Sequence, residues 1–192
     1  HRQVIKRSKQ FDLGLDTTRM KNQSDGLRQS ATVDEILNRF FNQKENRRWD
    51  IQILADEVGM GKTFVGLAVA YSLLEHMSNK RMELELKDCY QKVLIITPQN
   101  SALFTKWQRE VSEFVKRCVF PKYRESAMKW FIPTAVERVD ELSAELRRTG
   151  LGSRVVVANM SIFSGGKLRN YDVKRRFLLG ALFRYWGPSL FV

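Results

Sequence analysis

Residues 51–64 read IQILADEVGMGKTF, and the fold hangs on this stretch. The apolar run at 51–54, ending at Ala55, predicts a short buried strand. Residues 62–77, KTFVGLAVAYSLLEHM, predict a mostly apolar helix packed against a sheet. Between them lies a turn holding Gly59 and Gly61, followed by Lys62 and Thr63. Glycine takes dihedrals closed to other residues, so successive backbone N–H groups can turn inward. The helix start adds partial positive charge, Lys62 a full one, and the Thr63 hydroxyl suits Mg²⁺. That is a cradle for the phosphates of a nucleoside triphosphate.

Outward from the turn the pattern repeats. Residues 92–97, KVLIIT, are apolar on both faces and predict a central parallel strand; residues 154–158, RVVVA, predict another. SALFTKWQREVSEFVKR at 101–117 sets Leu103, Trp107, Val111, Phe114 and Val115 at helical spacing, with Trp107 in a packing role. TAVERVDELSAELRR at 134–148 predicts a helix opened by a capping box of Thr134 and Glu137. TVDEILNRFF at 32–41 predicts one opened by Thr32 and Glu35. Strands alternating with helices predict an α/β fold with a mostly parallel sheet and right-handed crossovers. Residues 1–30 are polar and are expected to form an arm or peripheral segment, leaving 31–192 as the partial nucleotide-binding domain.

Thirty-three basic against 21 acidic residues give a net charge of +12 and a pI near 10.0, which favours a polyanionic partner, nucleic acid above all. The 43% hydrophobic and 28% charged fractions are those of a globular domain. No apolar run approaches the roughly 20 residues of a membrane helix, and none follows the basic start as in a secretory signal. The expected compartment is the cytoplasm, with no membrane partner. Cys89, Cys118, His1 and His76 are too few and too scattered for a disulfide framework or a zinc site.

The turn departs from the general phosphate-loop pattern, which has Gly where this chain has Asp56. With that departure, LADEVGMGKT resembles the first helicase motif of the Swi/Snf-like branch of superfamily-two helicases and translocases. VLIITP followed by FTKWQREVSEF resembles the next motif, and RVVVANMSIF the strand and turn after it. The resemblance implies the first of two RecA-like motor domains: a P-loop three-layer sandwich, here truncated. It places ATP on Glu57, Val58, Gly59, Met60, Gly61, Lys62 and Thr63, with Lys62 catalytic and Thr63 on Mg²⁺. Gln29 falls where the family sets an adenine-reading glutamine. Thr97, Pro98, Asn159 and Ser161 would face the backbone of DNA or RNA, although Thr97–Pro98 is equally an ordinary strand exit. The basic residues Lys167, Arg169, Lys174, Arg175 and Arg176 fit either a nucleic-acid path or a solvated face.

Hydrolysis further needs an acidic pair at a strand end, one carboxylate for the metal and one for the attacking water. Asp34–Glu35 and Asp140–Glu141 both fall inside predicted helices, and the second motor domain is not in this sequence. Residues 1–192 alone are therefore expected not to turn ATP over. The function expected of the complete protein is an ATP-dependent helicase or translocase. The alternative is a non-motor P-loop ATPase acting as an assembly switch.

Overall fold

The computed structural model describes residues 4–20, 22, 24–42, 51–55, 61–84, 92–148, 154–163 and 180. Its centre is a three-stranded parallel sheet. β1 (Val93–Thr97) and β2 (Pro133–Val136) flank β3 (Val155–Asn159), giving the order β1-β3-β2. The register pairs Thr97 with Asn159, and Val136 with Ala158. Among the described residues five α-helices accompany the sheet: α1 (Asp25–Leu37), α2 (Lys62–Leu84), α3 (Ser101–Cys118), α4 (Pro121–Ala127) and α5 (Val139–Arg147).

Strand alternation builds the layers. Val155 and Val157 face the main core, shared with Val33, Leu67, Tyr71, Leu74, Val111 and Phe114. Val156 and Ala158 point the other way, onto Val139, Leu142 and Ile162. A strand buried on both faces between helical layers is the three-layer α/β arrangement. The arrangement is consistent with a RecA-like fold. Tyr71, at 0% exposure, is the hub of the main core, with Phe11, Phe114, Trp130 and Phe131 within 4.7–5.8 Å, centroid to centroid.

Several boundaries differ from expectation. α1 begins at Asp25, not Thr32, whose hydroxyl instead donates back to the Arg28 carbonyl at 3.0 Å. Its buried stripe runs Gly26, Gln29, Ser30, Val33, Ile36 and Leu37, so the first two turns bury small and polar groups that hydropathy does not mark. Gly26 is required there: a Cβ would lie 2.7 Å from the Gly14 Cα. Thr134 lies in β2 rather than capping a helix. The cap shifts to Glu141, whose carboxylate accepts from the Glu137 and Arg138 amides at 3.0 and 3.2 Å.

β1 is not central among the described strands; β3 is. IQIL lies outside any described strand, with Ile51 and Ile53 at 75% and 77% exposure and Leu54 packed against the core.

The first residues carry more of the fold than their polarity predicts. Phe11 and Leu13 are buried, and Phe11 forms an antiparallel bridge with Val119. The Asp12 amide donates to the Cys118 carbonyl and the Phe120 amide to the Gln10 carbonyl, both at 2.9 Å. The Asn42 side-chain amide mimics a strand neighbour: it accepts from the Ile5 amide at 2.8 Å and donates to the Ile5 carbonyl at 2.9 Å.

Candidate functional site

Gly61 has φ +82, the left-handed region that favours glycine, and its carbonyl accepts from the Val65 amide at 3.1 Å to start α2. Lys62 and Thr63 are half-buried residues of the first turn of α2. The first turn of an α-helix carries the positive end of the helix dipole. Phe64, Val65, Leu67 and Ala68 are buried directly behind that turn and fix the helix axis. Glu57, Val58, Gly59 and Met60 lie outside the described residues.

Gln29 meets this turn from α1. It is only 4% exposed, and a Cβ added at Gly61 would fall 2.8 Å from its Cδ. Its Oε1 lies 3.4 Å from both Nη1 and Nη2 of Arg19. Arg19 also donates from Nη2 to the Leu13 carbonyl at 2.6 Å, and its guanidinium sits 4.2 Å over the ring of Phe64. It ends the 3-10 turn Thr17–Arg19, capped by the Asp16 carboxylate, which accepts from the Thr18 amide and hydroxyl. The Thr18 hydroxyl, with Arg117 and Arg19 adding charge, holds the Asp16 carboxyl below its ordinary range. Two segments distant in sequence thus converge on the glycine turn. Neither Arg19 nor Phe64 was singled out by the sequence, because neither belongs to a spaced motif.

At the carboxyl ends of β1 and β3, the turns at 97–100 and 159–161 lie side by side. Loops at that edge of a parallel sheet are where such folds take ligands. Thr97 is fully buried, and its hydroxyl turns toward the Ala158 carbonyl at 3.5 Å, so its side chain faces inward. Pro98, Gln99 and Asn100 are exposed. The Asn100 Oδ1 caps α3 by accepting from the Leu103 amide at 3.1 Å. The Asn159 Oδ1 likewise accepts from the Ser161 amide at 2.9 Å. Trp107 packs on the core, as expected. The basic residues from Lys167 to Arg176 lie outside the described residues.

The acidic pairs are engaged elsewhere. Asp34 bonds Arg7 at 3.0 Å, Glu35 bonds Arg39 at 2.7 Å, and Asp140 bonds Arg138 at 2.8 Å. Among the described residues no group of three or more His, Cys, Asp or Glu could hold a metal ion. No helix among them is long and apolar enough to cross a membrane.

The SNF2-related domain model matches residues 35–131, just over half of the chain. No curated protein and no solved structure matches it.

Proposed function

The chain belongs to the SNF2-related domain family, a family of ATP-dependent motors, and on that footing we propose that it binds ATP at the Gly61 turn and couples hydrolysis to movement along nucleic acid, DNA first. One observation carries the proposal: a left-handed Gly61 heads α2, with the buried amide of Gln29 packed against it. A Cβ there would enter space that Gln29 already fills, so the turn requires glycine at the head of the helix, the feature a phosphate-binding turn needs.

The roles follow from position. The backbone from Gly59 to Thr63, shaped by Glu57, Val58 and Met60, receives the phosphates. Lys62 sets a point charge against the β- and γ-phosphates. The Thr63 hydroxyl holds Mg²⁺, which when bound neutralises phosphate charge. Gln29 reads the adenine. The adjacent turns at Thr97–Pro98 and Asn159–Ser161 lie against the nucleic-acid backbone, with Thr97 shaping its turn from within rather than touching the strand.

Lys62→Ala in the complete protein tests this. ATPase activity is expected to fall roughly 100-fold or more, the scale for losing a group that stabilises transferring charge. The melting temperature should hold, since Lys62 sits at the rim of the turn and outside the core. Turnover at the wild-type rate in that variant would refute the assignment. Stimulation of wild-type turnover by added DNA separates a motor from an assembly switch, which has no reason to respond.

A further inference from the structure

The amino-terminal segment and α1 enclose a groove of about 490 Å³. Asp34, Leu37 and Asn38 line one wall at spacings of three and four residues, a single face of the helix and its carboxyl cap. Asp34 and Leu37 lie roughly 8 and 12 Å beyond Gln29 along α1, at 1.5 Å per residue. No residue of the glycine turn, or of the turns at 97–100 and 159–161, lines the groove.

The other wall is the run Lys6-Arg7-Ser8-Lys9. It is pinned at both ends. Asn42 holds the Ile5 backbone through two hydrogen bonds, at 2.8 and 2.9 Å, and the Ser8 amide donates to the Ser72 hydroxyl oxygen at 3.0 Å. The groove is therefore formed before any ligand arrives, which spares the cost of ordering it.

Its charge is unbalanced: three cations stand against one lining carboxylate, Asp34. Arg7 donates from Nε to the Asp34 Oδ1 at 3.0 Å. That bond steadies the guanidinium and leaves its two terminal nitrogens as a fork of donors suited to an oxyanion. Lys6 and Lys9 are exposed, and neither has a carboxylate partner among the described residues. The floor residues Ile5, Phe11 and Leu37 are only 6%, 2% and 1% exposed. An apolar side chain seated on them would take little further surface out of water. Charge and donors, not hydrophobic contact, are what this groove offers. They suit a phosphodiester backbone better than a peptide anchored by an apolar side chain.

We propose that this groove is a phosphate-binding site that holds the backbone of a nucleic-acid strand, separately from the carboxyl edge of the sheet. It rests on the reading of the chain as one that acts on nucleic acid. Lys6 and Lys9 each neutralise a phosphate, and the Arg7 fork fixes the strand against the α1 wall. Contacts of this kind position a strand and carry no base information.

The test is a salt titration of duplex binding by the complete protein, with melting curves for each variant. Lys6→Gln/Lys9→Gln should weaken binding to two unrelated duplexes alike and reduce the salt slope by about 2, one for each phosphate contact. Lys122→Gln/Lys129→Gln removes the same charge at two exposed lysines elsewhere and should leave the slope near wild type. Asn38→Asp keeps every cation and adds a carboxylate to the α1 wall. It should reduce the slope by about 1.

An unchanged slope in Lys6→Gln/Lys9→Gln, beside a wild type that binds duplex, overturns this site alone. A wild type that binds no duplex overturns the nucleic-acid reading and this site with it. Equal flattening by the Lys122 and Lys129 pair traces the effect to net charge and overturns the site. Binding of poly-glutamate that weakens in Lys6→Gln/Lys9→Gln while duplex binding holds gives the groove to an acidic protein segment instead. Should the double variant fail to melt cooperatively, Asn38→Asp decides alone, and an unchanged slope there overturns the proposal.

Discussion

Gln29 and Gly61 stand so close that a methyl group at Gly61 would overlap the amide, 2.8 Å from Cδ. Gly61 also holds φ +82, which costs a non-glycine residue about 1–2 kcal/mol. Gly61→Ala therefore meets two penalties, one of which depends on Gln29. In a double-mutant cycle read by urea denaturation, Gly61→Ala should cost about 1 kcal/mol less when Gln29 is already Ala. Strictly additive costs would mean that the two residues do not touch. The backbone penalty should survive in both backgrounds.

Ser72 tests the anchoring of the amino-terminal segment. It is fully buried in α2, accepts from the Ser8 amide at 3.0 Å and donates to the Ala68 carbonyl at 2.7 Å. Ser72→Ala leaves a buried N–H without its acceptor, which costs about 1–3 kcal/mol. Neighbouring anchors remain, since Gln10 bonds the Tyr71 hydroxyl at 2.7 Å and Glu75 at 3.0 Å. The loss should therefore be local. Trypsin should cut faster after Lys6, Arg7 and Lys9 in the variant while α2 and the sheet stay protected. Unchanged cleavage would show that Ser72 does not hold the segment.

Burial pushes the Cys118 thiol up from 9.0 to about 12. Above pH 9 the unfolded chain sheds this proton while the folded chain keeps it. The contribution is thus complete below about pH 9 and is lost as pH rises toward 12. The slope for one group is about 1.4 kcal/mol per pH unit. Urea midpoints of wild type and Cys118→Ala, compared at pH 8 and pH 10, should differ in their pH dependence by roughly that amount. Tyr71 is raised too, by burial and then by the charge of Glu75, but it acts alike in both proteins. Parallel pH profiles would place the thiol in water.

What the sequence exposes and hides follows from which forces leave marks on it. α3 and β3 bury mainly aliphatic and aromatic side chains, so α3 shows as a helical stripe and β3 as an unbroken apolar run, although at the start of α3 the buried residue is Phe104 and not Leu103. The start of α1 buries Gly26, Gln29 and Ser30, held by close packing and hydrogen bonds, and hydropathy is blind to both. Pro133–Val136 offers a single deeply buried side chain, Val136, so β2 is specified by its neighbour β3 rather than by its own pattern. IQIL has the composition of a strand, yet exposes Ile51 and Ile53. Around the glycine turn, Gly61, Lys62 and Thr63 draw notice by their spacing and Gln29 by resemblance. Arg19 acts through contacts with Leu13, Gln29 and Phe64 that lie 6, 10 and 45 positions away in sequence, and such contacts leave no local trace.

On the proposed reading, the turns at the carboxyl edge decide how nucleic acid should be held. Asn100 and Asn159 each commit their side-chain oxygen to a backbone amide two or three residues on. What such a side chain still offers is its NH₂ group, a donor suited to phosphate oxygens and unable by itself to distinguish base pairs. Thr97 faces inward, which leaves the strand ends to contact a polyanion through backbone and amide donors. The net charge of +12 supplies the attraction. Binding is therefore expected to fall steeply with salt, with a logarithmic slope of roughly −0.9 per neutralised phosphate on duplex DNA. Two unrelated duplexes of equal length should give the same slope and nearly the same affinity. Asn159→Asp sets a negative charge at this edge while keeping the acceptor for the Ser161 amide. It should weaken both duplexes alike and flatten the slope. Salt-independent binding, or a strong preference for one duplex, would rule out contact through the backbone at this edge.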